Sequence, residues 1–454
     1  MTEIGLLSTV EQIALVRSGD LSSRELTEHF IERIERLDPE INAVVTRDFE
    51  VALEQADVAD EQGQKGKLIG ALHGIPITVK DALETRNLRS TGGAVELQDN
   101  VPDRDAAVVA SLRREGAIVM GKTNLPRWSG DIQSYNEIFG TTNNPWNLSC
   151  GPGGSSGGAA AAVAMGFTSF EIGTDIGGSI RFPAAFNGIW GHKPSFGVIP
   201  TTGYLDHIQG GLNEADINVF GPLARSASDL GFLLDIMKRN SPPWIPQLLE
   251  APPDLANLKV GAWLDDAFCP VDQEVRAHLE KVVDELENDG IAIDRSARPD
   301  IDPEEAAMLG LWLVQRAISQ STDSDGPGHR IWLDRHVRRE EIRLKWAKFF
   351  EDYDAIIMPV CFVPPFEHQQ DGDFANRTLT CNGEIRNYVD VVKWTTMVGM
   401  AYLPATVPPT GLGPSGLPIG CQVVGAYGSD KLTISLAGRV GELMGDYQPP
   451  PLAQ

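Results

Sequence analysis

Residues 151–193 read GPGGSSGGAAAAVAMGFTSFEIGTDIGGSIRFPAAFNGIWGHK. Two serines in this stretch follow glycine pairs: Ser155 after Gly153-Gly154, and Ser179 after Gly177-Gly178. Glycine permits backbone angles closed to other residues and lets main-chain N–H groups approach a ligand closely. Successive N–H groups in such a turn form a nest for negative charge. The N–H groups of Ile176, Gly177, Gly178 and Ser179 are therefore candidates to hold an oxyanion while the Ser179 hydroxyl attacks a carbonyl. The residues from 157 to 166 are small and apolar, which suits a helix packed tightly beneath the first turn.

A serine hydroxyl is a weak nucleophile until a base takes its proton. One candidate base is His192, within Gly191-His192-Lys193-Pro194. Another lies upstream, in the stretch from His73 to Asp81, where the apolar run Ile75 to Val79 reads as a buried strand ending in Lys80. Desolvation at the end of such a strand disfavours the charged amine and leaves a neutral one able to act as a base. His73 and His192 both sit in turn-like motifs and read as structural histidines.

The Lys80 block, GGSSGG and TDIGGSIRFPAAFNGIWGHKPSFG together resemble the amidase signature family. The resemblance extends from about residue 8 to about residue 440 and takes in Gly121-Lys122-Thr123-Asn124, Asn144-Pro145-Trp146 and Gly416-Leu417-Pro418-Ile419-Gly420. It implies an α/β fold: a single large domain over 1–454, with a mixed central sheet covered by helices on both faces. Within it the expected parts are an N-terminal helical part (1–68), a catalytic core (69–240), a variable lobe (241–340) and a C-terminal part completing the sheet (341–454). The resemblance also implies amide hydrolysis by a Ser–cis-Ser–Lys triad. Motif by motif, Lys80 takes the place of the lysine, Ser155 that of the bridging serine after a cis peptide at Gly154–Ser155, and Ser179 that of the acylated nucleophile. Thr174 and Asp175 are expected either to support the triad by hydrogen bonds or to serve as capping and turn residues. Ser156 is expected to cap the following helix, and Arg181 to form a structural ion pair. Trp128, Tyr204 and Trp394 are candidate pocket walls.

Two short motifs point elsewhere. Gly116 to Thr123 matches the GxxxxGK[ST] spacing of a phosphate-binding loop, but the residues between the glycines are apolar and read as the strand itself. Asn124-Leu125-Pro126 then opposes a helix. Gly153 to Gly157 satisfies GxSxG, yet residues 143–152 form a turn-rich loop where a nucleophile elbow needs a strand. Histidines at metal-ligand spacing such as HExxH are missing, so neither a metal nor a cofactor is expected.

Composition narrows the partners. Lys and Arg total 38 against 63 Asp and Glu, a formal charge of −25. Such a chain is expected to repel nucleic acid and anionic membranes; the resemblance implies a small-molecule amide or carbamate as the partner, and the chain is expected to be a monomer or homodimer. The five cysteines lack framework spacing, which fits reduced thiols in a cytoplasm. Among them Cys150 lies just before the glycine turn, with nothing near it in sequence to activate the thiol. The N-terminus lacks a basic region followed by an apolar core, so no signal peptide is expected.

Local signals divide the rest of the chain. Ser8/Glu11 and Ser22/Glu25 fit capping boxes, and Leu26, Phe30, Ile31, Ile34 and Leu37 mark an amphipathic helix expected to end at Asp38-Pro39. Helices are also expected over 49–61, 106–115, 272–287, 334–350 and 431–444, and strands over 117–120, 258–264, 291–293 and 355–360. The Pro-rich stretch 241–253 introduces a lobe attached to the same sheet. Residues 361–395 read as irregular, lining a substrate entrance. Specificity is expected in the loops 201–220, 300–340 and 361–395. The reaction expected is hydrolysis of small amides, with esters, anilides and carbamates (urethanes) sharing the same carbonyl chemistry. The alternative is an amidotransferase component of the A type, working with partner chains on misacylated transfer RNA.

Overall fold

A computed structural model describes residues 3–205, 211–212, 214–239, 246–251, 254–318 and 326–454. Parts of the Pro-rich stretch and of the expected specificity loops lie outside the described residues.

The organising element is a nine-stranded mixed sheet. From one edge its order is Ala292–Asp294, Lys259–Ala262, Ala355–Pro359, Pro418–Gly425, Ala405–Val407, Trp190–Lys193, Val219–Ala224 and Glu171–Asp175, with Pro409–Leu412 also paired to Pro418–Gly425. The first three strands run parallel and the other pairings are antiparallel. The two strands of the variable lobe thus extend the same sheet. Their neighbour Ala355–Pro359 and the central Pro418–Gly425 are buried at every residue. Such runs are dictated by helices covering a sheet on both faces.

Lys80 does not belong to this sheet. It ends Pro76–Lys80, an edge strand of a separate three-stranded sheet in which Ile118–Thr123 is central and Val44–Arg47 is the other edge. Helix Gly157–Ala164 bridges the two sheets. All eight of its residues are buried, and a Cβ on Gly158 would come within 2.5 Å of the Asn124 backbone. Only a run of small side chains permits that approach.

Both expected capping boxes form, at Ser8 and Ser22. The second helix runs past Pro39, spanning Ser23–Ile41 and stopping at Asn42, which is left-handed (φ 57°). Leu26, Phe30 and Ile34 are fully buried on one face, and Ile41, beyond the proline, is buried in the same cluster as Ile34. Residues 361–395 also depart from expectation. They contain the hairpin Thr378–Cys381/Glu384–Asn387, turned by Asn382 and Gly383 at positive φ, and the start of helix Lys393–Gly399. Asn-Gly between strand formers is a hairpin signal, so this turn was available in the sequence.

Candidate active site

The Lys80 amine is enclosed by hydroxyls. Its Nζ lies 2.7 Å from Ser155 Oγ, 3.0 Å from Ser156 Oγ and 2.7 Å from Thr174 Oγ1. Lys80 is fully buried and Ser155 is 1 % exposed. The peptide between Gly154 and Ser155 is cis. Tyr204 joins the cluster from outside, its hydroxyl 3.4 Å from Thr174 Oγ1. Residues from two sheets and two turns thus meet around one amine.

Ser179 lies next to them. Its carbonyl accepts the N–H of Ser156 at 3.3 Å, and the residue is 8 % exposed. The Ser179 hydroxyl does not hydrogen-bond to a described residue, so the expected Ser155–Ser179 link is open here. Catalytic hydrogen bonds commonly tighten only with substrate bound.

The turn that carries Ser179 is built around Asp175. The Asp175 carboxylate accepts the N–H groups of Gly178 (2.8 Å), Ile180 (3.2 Å) and Arg181 (3.4 Å). The Arg181 guanidinium closes on both carboxylate oxygens at 2.9 Å and is itself held by Thr395 O and Gln422 Oε1. This corrects the four-donor nest: the Gly178 N–H is committed to Asp175. Those of Ile176, Gly177 and Ser179 form no hydrogen bond to a described residue. Gly178 keeps a different duty, since it has φ +128° and a Cβ there would overlap the Phe182 ring.

Burial alone would push the Asp175 carboxyl up, but the charge and hydrogen bonds of Arg181 outweigh it and hold the group below its ordinary range. Burial and the charge of Arg181 push the neighbouring Lys193 down to about 7. An acid with a lowered folded pKa contributes stability that is complete above its unfolded value and is lost as pH falls through the lowered one. The stabilities of wild type and Asp175→Asn, followed by circular dichroism, should therefore begin to converge only below about pH 4 and meet as pH falls past the lowered Asp175 value. At neutral pH the variant should be less stable by about 3–5 kcal/mol, as expected for a broken buried ion pair.

Ser156 does not cap its helix; no side-chain cap bond is present. The Lys80 amine and the Thr174 N–H (3.2 Å) engage its hydroxyl instead. The capping duty falls to Ser134, a residue without a sequence signal. Ser134 Oγ accepts the Gly157 N–H at 3.0 Å and donates to Gly153 O at 3.1 Å, spanning the turn that presents Ser155. Ser134→Ala is expected to leave two buried polar groups unpaired, at a cost of about 1–3 kcal/mol. Thermal unfolding and kcat measured together should show both falling, with Ser134→Thr recovering most of each.

The wall beside Ser155 is residues 131–133. A Cβ on Gly154 would lie 2.6 Å from Gln133 N and 2.7 Å from Asp131 O. Asp131 is paired with Arg377 at 2.6 Å and accepts the Tyr388 hydroxyl at 2.7 Å. Asp131 and Arg377, with Tyr135, Gln370 and Phe374, line a cavity of about 410 Å³. Of the candidate aromatics, Trp394 is core, packed on Phe268 at 4.7 Å, and Trp128 is half-buried in a short turn. His192 is held by Thr406 and Asp430, and His73 accepts the Ile69 N–H. The Cys150 thiol is pushed up by burial. Among the described residues no cluster of His, Cys, Asp and Glu could hold a metal ion, and no helix is long and apolar enough to cross a membrane.

The phosphate-loop spacing is settled by the strand. Gly121, Lys122 and Thr123 lie inside Ile118–Thr123. Lys122 is buried, donates to Leu83 O, Thr85 Oγ1 and Ser90 Oγ, and is pushed down to about 8 by burial.

A family model described as Amidase matches residues 25–330 and 315–434. The chain belongs to the amidase signature family. An indoleacetamide hydrolase of Bradyrhizobium diazoefficiens is 30% identical over 95% of this chain and 86% of its own length. The A-type component of a glutamyl-tRNA(Gln) amidotransferase from Acinetobacter baylyi is 30% identical over 96% of each chain. Among solved structures, an amidase at 26% identity superposes with a TM-score of 0.80 over 97% of this chain and 100% of its own. A bacterial aryl acylamidase of the amidase signature family shares the fold at 24% identity, with a TM-score of 0.81 and 98% of each chain covered. Membership makes this chain one of the amidase family.

Proposed function

We propose that the chain hydrolyses small amides through an acyl-enzyme on Ser179, with Lys80 as the base and Ser155 as the relay. The observation that carries this reading is the buried Lys80 amine 2.7 Å from the Ser155 hydroxyl, one residue from the backbone contact to Ser179. Neutral Lys80 draws the proton of Ser179 through Ser155 as Ser179 attacks the carbonyl carbon. The carbonyl oxygen becomes an oxyanion facing the N–H groups of Ile176, Gly177 and Ser179, and each such donor is worth about 3 kcal/mol of barrier. On collapse the C–N bond breaks and the amine leaves with a proton returned along the relay. Water, deprotonated by the same amine, then cleaves the ester and restores Ser179. Esters, anilides and carbamates differ only in the leaving group and are within reach of this chemistry. The free, buried cysteines favour a reducing, cytoplasmic setting.

A second reading is favoured by the amidotransferase relatives that match nearly the whole chain: a component that releases ammonia for partner chains. The test is the purified chain alone on a panel of amides, anilides, esters and carbamates, with intact mass measured during turnover. The expected result is amine release and an acyl mass increment on Ser179. Activity that appears only when partner chains are added would favour the second reading.

A further inference from the structure

We infer that Val314, with Val392 and Thr396, forms an apolar wall beside the oxyanion turn, so that the site takes amides whose flank is uncharged and apolar. This inference rests on the Ser179 reading and adds the substrate class to it.

The turn itself reports the wall. A methyl placed on Gly177 would stand 3.8 Å from Val314 Cγ2 and 4.0 Å from both Thr396 Cγ2 and Val392 Cγ1. These are ordinary van der Waals separations. The three nearest neighbours are side-chain methyls, without a polar atom among them. On the adjacent Gly178 the same Cβ would overlap the Phe182 ring, so of these two glycines Gly177 is the one with room for a methyl. Ile176, Gly177, Val314 and Val392 are all half-buried, in a stretch where Asp175, Gly178 and Ile180 are buried. Solvent therefore reaches part of each of these apolar residues, next to the turn that carries the N–H groups of Ile176, Gly177 and Ser179.

The fold explains why these methyls are there. Helix Pro303–Ile318 crosses helix Lys393–Gly399 at Gly310, where a Cβ would lie 2.8 Å from Thr396 O. One turn further on, residue 314 lies on the same face of the helix, over the turn. Thr395 Oγ1 donates to Gly177 O at 2.6 Å, pinning the second helix to the turn. Among the described residues, Arg181 is buried and paired with Asp175, and Lys393 is paired with Glu304 and Asp390. A charged group on the substrate would meet methyls and lose its hydration without compensation. An alkyl flank gains instead, by about fourfold in affinity for each methylene buried.

The test uses serine-directed alkyl fluorophosphonates with methyl, butyl and octyl chains. The rate of labelling at Ser179 is read by mass spectrometry, on wild type, Val314→Phe and Val314→Ala. The same proteins are assayed on hexanamide and on glutamine. For wild type, octyl labelling should exceed methyl labelling, and hexanamide should be preferred to glutamine by at least tenfold. The octyl-to-methyl ratio should fall at least tenfold in Val314→Phe, where the space is filled, and change by at least threefold in Val314→Ala. If Val314→Phe does not fold, Val314→Ala carries the result. An unchanged ratio in the folded variants, or a wild-type preference for glutamine, overturns the wall while leaving Ser179 chemistry intact. Absence of labelling at Ser179 by any reagent overturns the hydrolase reading and the wall with it.

Discussion

Ser179→Ala is expected to abolish turnover of every amide, ester, anilide and carbamate that the wild type cleaves. The loss in kcat should be on the order of 10⁴-fold or more, the range seen when a nucleophile that works as part of a coupled unit is removed. The reason is specific to this turn. Asp175 and Arg181 hold the backbone from 178 to 181 through bonds that do not involve the Ser179 side chain, so the alanine variant should keep its fold and its oxyanion donors. Its thermal midpoint should stay within a few degrees of wild type. A residual rate well above background would mean that another group attacks the carbonyl. Retained activity with a lost acyl adduct would mean that water attacks directly.

Lys80 carries the second large effect. Lys80→Met keeps much of the side-chain volume and removes the amine, so kcat should fall by on the order of 10³-fold or more. The structure makes a simple packing explanation testable. The Lys80 amine donates to three hydroxyl oxygens, those of Ser155, Ser156 and Thr174, and the variant leaves them facing a thioether. Stability should therefore drop as well, by about 1–3 kcal/mol. The readout that separates a base from a structural support is pH. In wild type, kcat/KM should rise as the amine loses its proton, because only the neutral form accepts from Ser155. In Lys80→Met the residual rate should lose that rise. A flat profile in wild type from mildly acidic to alkaline pH would contradict a lysine base.

Both effects concern residues that were legible before the fold was known. Glycine pairs ahead of Ser155 and Ser179, and an apolar run ending in Lys80, are local signals, and each corresponds to a local geometry. The same holds for the capping boxes at Ser8 and Ser22 and for the strand that disposes of the phosphate-loop spacing. Where the reading was local but incomplete, tertiary packing prevailed. The helix crosses Pro39 with Ile34 before it and Ile41 after it buried in one cluster. Ser156 gave up its capping role because an amine 76 positions earlier in the chain claims its hydroxyl.

The residues that hold the site in place had no signal of this kind. Ser134 spans the Ser155 turn from 23 positions before Gly157. Thr395 reaches Gly177 across 218 positions, and Gln422 reaches Arg181 across 241. A serine, a threonine and a glutamine are common in any chain, and their meaning here is the partner each meets. The commitment of the Gly178 N–H to Asp175 is likewise invisible in the letters GGS, because it depends on the side-chain torsions of a residue three positions earlier.

The sequence by itself determined the chemistry on offer: an amine at the end of a buried strand, two serines in glycine turns, and a small-residue helix packed beneath the first of them. Backbone freedom and side-chain size are properties of individual residues, so a linear text records them. Only the tertiary structure decided which hydroxyls the amine faces, which N–H groups remain for an oxyanion, and which methyls stand beside them. Those are distances between segments far apart in the chain, set when two sheets and the helices around them close on a common core.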